Sequence, residues 1–147
     1  MIGLIRVQQG DYAGAREAFG EALVENAGFA HAQAALGLLS RTERKMTQAL
    51  EEHTAAAGLL PSDQVLQLQH AQALFDAGRF EAAVQAAERV AAAEPRWAAP
   101  HLLMGRARDR QRRTAEATEH YRAYLARATR TDPQAPALRA RVGSTPP

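Results

Sequence analysis

Residues 74–95 read LFDAGRFEAAVQAAERVAAAEP, and eight of them are alanine. Alanine is the best helix former, but it is too small to build a core by itself. Phe80, Ala83, Val84, Ala87, Val90 and Ala91 recur here at intervals of three and four, which marks one buried helical face. Gly78 stands just before this helix and Pro95 just after it. Glycine suits the left-handed residue that stops a preceding helix, and proline cannot continue one. A helix whose buried face is mostly alanine needs neighbours that come very close.

Those neighbours are visible as internal repetition. Shifted by 34 residues, the sequence matches itself without an insertion. Gly3, Gly37 and Gly105 share one column, with Ala71 in the remaining place. Ala15, Ala49, Ala83 and Ala117 form a second column, and Phe19, His53, Ala87 and Tyr121 a third. Pro61 and Pro95 share a fourth, with Ala27 one period earlier. Gly10 and Gly78 alternate with Arg44 and Arg112 in a fifth. Glycine is scarce in this chain, so its column carries the most weight.

A 34-residue period with Leu36-Gly37, then Ala49 and Pro61, resembles the tetratricopeptide repeat. Met104-Gly105 with Ala117 and Tyr121 gives a second good copy, and AGRFEAAVQ and QGDYAGARE repeat the family's turn. The resemblance covers residues 1 to about 128. Departures are Gln33, Gln67 or His101 where a bulky residue often opens the first helix, and His53 and Ala87 in the aromatic column. The resemblance implies an all-α fold, a right-handed α-solenoid of about four helix-turn-helix repeats. The copies run about 1–29, 30–63, 64–97 and 98–131 within a repeat domain of 1–132. After a turn at Asp132-Pro133, residues 133–142 are expected to form a C-terminal capping helix, and 143–147 a disordered tail. Asp63 reads as the N-cap of a helix beginning near Gln64, and Pro100 as a first-turn proline.

The repeat register places Met1 inside the first helix of the first copy. That reading leaves an incomplete N-terminal edge, from a fragment, a misplaced start or a covering partner. Fraying of residues 1–7, and self-association or docking of another chain at that edge, are the corresponding expectations.

Composition narrows the functional classes. The chain has 147 residues, 5% of them aromatic, enough for one domain. It has no cysteine, which excludes disulfides, thiolate metal sites and a thiol nucleophile. No apolar run approaches the roughly 18 residues of a membrane helix, and MIGLIRVQQG lacks a cleavage pattern. The compartment stays open, with cytoplasm as the default. Seventeen of the eighteen basic residues are arginine, as GC-rich bacterial coding would give. The charge is lopsided, at −5 for residues 1–95 and +7 for residues 96–147.

No catalytic constellation, cofactor loop or metal site is legible. The five histidines lack the i, i+4 spacing of a helical metal site, and His70 and His101 fall at packing positions. Every glycine is isolated, and neither Ser40 nor Ser62 has a partnered His and Asp. The reading is therefore not an enzyme and without a cofactor. In the run GRARDRQRR, Arg106, Arg110 and Arg113 are expected on one helix face near Asp109. They would anchor an acidic peptide, a carboxylate or a phosphate, or form a solvated helix end. Nucleic-acid binding is disfavoured, because no aromatic is interleaved and no base-reading column recurs.

The family resemblance implies a concave groove lined by first helices that binds partner peptides. Carried over by column, the groove residues are Ala34, Leu38 and Arg41; Leu68, Gln69, Gln72, Phe75 and Asp76; and Leu102, Arg106, Asp109 and Arg110. The family's Lys and Asn clamp for a terminal carboxylate is replaced by Leu, Ala and Gln, so that clamp is absent. The expected function is a protein–protein interaction scaffold or adaptor holding a peptide or amphipathic helix with an acidic end. Two alternatives stand: a regulatory or targeting module of a larger enzyme or secretion assembly, and acidic-polymer or nucleic-acid binding through Arg106 to Arg113.

Overall fold

The computed structural model describes residues 2–25 and 30–144. Among them every regular element is a helix. The order is α1 Ile2–Gln8, α2 Tyr12–Glu25, α3 Ala30–Thr42, α4 Met46–Leu59, α5 Gln64–Asp76, α6 Phe80–Ala93, α7 Ala99–Arg110, α8 Thr114–Leu125 and α9 Ala135–Ser144. The expected tail at 143–147 lies outside the described residues from 145 onward, and residues 143 and 144 complete α9. The chain divides into two compact units, Met1–Ala77 and Gly78–Pro147. In the first, α1 packs on α2, α2 on α3, α3 on α4, and α4 on α5. In the second, α6 packs on α7, α7 on α8, and α8 on α9.

The turns follow from one recurring backbone device. Gly10 and Gly78 have φ of 76° and 77°, and Arg44 and Arg112 each have φ of 61°. All four members of that sequence column are therefore left-handed, two of them against the preference of a residue with a Cβ. At Arg44 the amide donates to the Arg41 carbonyl at 3.0 Å, and the Lys45 amide to the Ser40 carbonyl at 2.8 Å. Arg112 and Arg113 repeat this with Asp109 and Arg108 at 2.9 Å each. This double bond is the Schellman ending, and it satisfies carbonyls that the helix terminus would leave unpaired. The Asp63 side chain caps α5, accepting from the Val65 and Leu66 amides, and Pro100 lies in the first turn of α7.

Packing explains the glycine column. A Cβ placed on Gly3 would meet the Phe19 ring at 2.6 Å, one on Gly37 the His53 ring at 2.7 Å, and one on Gly105 the Tyr121 ring at 2.5 Å. Each glycine is absent-Cβ space into which the ring of the same copy fits. The nearest neighbour of the Gly105 position is thus the aromatic column rather than the alanine column at Ala117. In the third copy the ring column holds Ala87 and the glycine column holds Ala71, so loss of the ring accompanies loss of the glycine. Along α6, Ala83, Val84, Ala87 and Val90 are fully buried. Ala86 is buried as well, so α6 is covered on a wider arc than the stripe of three-and-four spacing required.

Candidate functional site

In the first unit the expected groove positions fall on α3 and α5. Arg41 Nε lies 2.6 Å from Asp76 Oδ2, which ties the two helices together. Gln72 donates from Nε2 to Asp76 Oδ1 at 2.9 Å, one turn earlier on α5. Asp76 is therefore hydrogen-bonded at Oδ1 by Gln72 and ion-paired at Oδ2 with Arg41. Leu38, three residues before Arg41, leaves 46% of its surface in solvent. Leu68, Gln69, Gln72 and Phe75 are half-buried. Gln69 Oε1 is buried and has no hydrogen-bond donor among the described residues. Ala34 corrects the reading: it is buried in a cluster with Ala30, Ala56 and Leu66. Its small side chain serves packing of α3 on α4 and α5, and it offers no docking surface.

In the second unit, Leu102 is half-buried and Arg106 is exposed on α7. Asp109 accepts from the Tyr121 hydroxyl at 2.5 Å and from Arg141 of α9 at 2.6 and 2.5 Å. Arg106 donates to the Gln134 side chain. The Arg110 guanidinium lies 5.1 Å from the centroid of the Phe80 ring. Helix α7 ends at Arg110, and Arg113 belongs to the following turn as the residue before α8. The expected common face of Arg106, Arg110 and Arg113 is therefore broken, because the left-handed Arg112 redirects the chain between them.

The same run contains a residue of another kind. Arg108 is only 7% exposed. Its Nη1 lies 2.6 Å from Glu81 of α6, and its Nε 3.2 Å from Glu116 of α8. The guanidinium hydrogen bond holds the Glu81 carboxyl below its ordinary range. Arg113 also reaches Glu116, at 2.6 Å. Arg108 and Arg113 of the run are thus paired within the unit.

A corresponding polar cluster in the first unit escaped the sequence reading. Arg16 of α2 donates to Glu52 at 3.1 Å, to Ser40 at 3.0 Å and to Glu43 at 3.0 Å. Ser40 donates to Glu52 at 2.5 Å, and Gln48 donates to Glu52 at 3.0 Å. Ser40 and Glu52 are buried, so the network satisfies groups that would otherwise be costly to desolvate. Ser40 shares its column with Leu74 and Arg108. With Arg6 the column holds three polar residues and one leucine, and that was the available signal. The pairing itself was hidden, since Arg16 is 24 to 36 positions from its partners.

Three histidines have protonation suppressed. His53, His101 and His120 are all lowered, each first by burial. The Tyr124 hydroxyl is pushed up to about 12, first by burial. No group of three or more His, Cys, Asp or Glu among the described residues could hold a metal ion. No described helix is long and apolar enough to cross a membrane.

A family model of the tetratricopeptide repeat matches residues 1–63 and 68–140. The chain belongs to the tetratricopeptide repeat family. Solved structures agree on the fold. A crystal structure of MamA is 20% identical with a TM-score of 0.79, covering 86% of this chain and 74% of that one. MamA from Desulfovibrio magneticus RS-1 is 17% identical with a TM-score of 0.83, over 97% of this chain and 78% of that one. Pseudomonas aeruginosa PilF is 22% identical with a TM-score of 0.82, over 95% of this chain and 64% of that one. No curated protein sequence matches the chain. Tetratricopeptide repeats form an all-α solenoid fold that serves as a protein–protein interaction module, and this chain has that fold.

Proposed function

We propose that the chain is a scaffold or adaptor that docks a partner peptide or helix on the α3–α5 face. The observation that carries this reading is Leu38, a large apolar side chain 46% exposed on a first helix. It stands beside a fixed polar pair, Arg41 with Asp76. Half-buried Leu68 and Phe75 and the amides of Gln69 and Gln72 add apolar area and hydrogen-bonding groups along α5. An amphipathic segment would cover the leucines and leave its polar edge to the glutamines. Arg41 is committed to Asp76, so an acidic end on the partner gains less here than the residue type alone promised.

The alternative readings draw less support. Arg108 is buried, Arg113 is paired with Glu116, and Arg110 lies over a ring. An acidic polymer would therefore meet a divided patch rather than a continuous one. A role as the targeting module of a larger assembly is compatible with the same face and differs only in what the partner does.

The test is capture of partners from the source cells by the wild-type chain and by Leu38→Glu with Leu68→Glu. The account expects a defined set of proteins with the first and its loss with the second, with unchanged helical circular dichroism. Equal capture by both chains overturns the α3–α5 assignment.

A further inference from the structure

On the α7–α8 surface a carboxylate and an aromatic ring together hold an arginine of the chain's own last helix. Arg141 of α9 places its two terminal nitrogens on the two oxygens of Asp109, at 2.6 and 2.5 Å. The same guanidinium lies 5.0 Å from the centroid of the Tyr121 ring. Tyr121 in turn donates its hydroxyl to Asp109 at 2.5 Å, and its ring is fixed against Gly105. Carboxylate and ring are thus both held in place by α7 and α8, independently of α9. A planar fork can pair with both oxygens and lie over the ring at once, which an ammonium cannot.

The element that supplies Arg141 is held lightly. Helix α9 has ten residues, fewer than the roughly 12–15 at which an isolated helix becomes even marginal. Of residues 135–143 only Ala135 is buried, and Leu138 and Val142 are half-buried. Side chains of Asp109 and Arg141 keep 22% and 41% of their surface in solvent, so a competing arginine can reach the pair.

We propose that the Asp109–Tyr121 surface is an arginine-reading docking site, occupied in the free chain by its own Arg141 and opened when a partner segment presenting an arginine displaces α9. The proposal does not depend on the α3–α5 reading, because it uses other residues. The resident arginine reduces the apparent affinity of any competitor to the fraction of its intrinsic value set by the molecules whose site is free.

The probe is a synthetic peptide, PQAPALRARVGS, with the sequence of residues 133–144, titrated into the isotope-labelled full chain. Binding should shift the amide resonances of Asp109 and Tyr121 and move those of residues 138–142 to unfolded positions. Arg141→Ala in the full chain should tighten peptide binding about tenfold, because the competitor is removed. A peptide with lysine in place of the arginine matching Arg141 should bind at least about tenfold more weakly. Asp109→Asn should abolish binding. The lysine peptide keeps the test decisive if that variant fails to fold. Equal binding of the lysine and arginine peptides overturns the proposal. So does an α9 that stays folded at saturation, or no binding to Arg141→Ala.

Discussion

Gly105→Ala is the substitution that most directly probes how the repeats close. In an ordinary helix the change would stabilise by about 1 kcal/mol, through restricted backbone freedom. Here the new methyl would sit 2.5 Å from Tyr121 Cε1 and 2.7 Å from Cδ1, well inside contact distance. The ring cannot swing away freely, because its hydroxyl is bonded to Asp109 at 2.5 Å. Overpacking of that kind costs about 1–3 kcal/mol, and the closeness places it near the top of the range. The net expectation is a loss of about 2 kcal/mol. Tyr121→Ala alone should cost about 3–5 kcal/mol by leaving a cavity. In that background Gly105→Ala should turn stabilising, by about 1 kcal/mol, which recreates the Ala71 and Ala87 combination of the third copy. Urea unfolding followed by circular dichroism measures all four chains. Stabilisation by Gly105→Ala in the wild-type background, or an equal effect in both backgrounds, would refute the glycine–ring account.

Two further predictions concern the turns and the histidines. Arg112→Gly should raise stability by up to about 1 kcal/mol in urea melts, since Arg112 has a φ of 61° that glycine adopts without cost. His53 is buried and its protonation is suppressed by desolvation, so the unfolded chain binds its proton more readily than the folded one. Its contribution is complete above the ordinary histidine pKa of about 6.5 and is lost as pH falls below that value. Thermal melts from pH 8 to pH 5 should show a smaller decline for His53→Phe than for wild type. His101 and His120 remain to contribute in both chains. An identical decline in the two chains would remove His53 from the explanation.

Much of the fold was legible because its constraints repeat. Gly10 and Gly78 announced the left-handed turn, while the same conformation at Arg44 and Arg112 of that column emerged only in the structure, because a residue with a Cβ does not advertise it. Proline, the Asp63 cap and the small-residue columns set the helix limits within a few positions. The candidate site was less legible, for a physical reason. A column says which helix face a residue occupies, but not which oppositely charged group comes to meet it. Asp76 and Arg41 read as two groove residues and proved to be one ion pair. Arg108 read as one arginine of a surface run and proved to be a buried tie between α6, α7 and α8. Ala34 read as lining and proved to be packing, since alanine serves either purpose and the sequence does not record what faces it.

The claim that α3 and α5 present the docking face is tested most directly by site-specific crosslinking in the source cells. A photoreactive amino acid replaces Leu38 in one chain and exposed Gln85 of α6 in another. The account predicts that the Leu38 probe joins a discrete protein that the Gln85 probe does not. It also predicts that this product disappears when Leu68→Glu is added. The same product from both probes, or a Leu38 product insensitive to Leu68→Glu, would contradict the account.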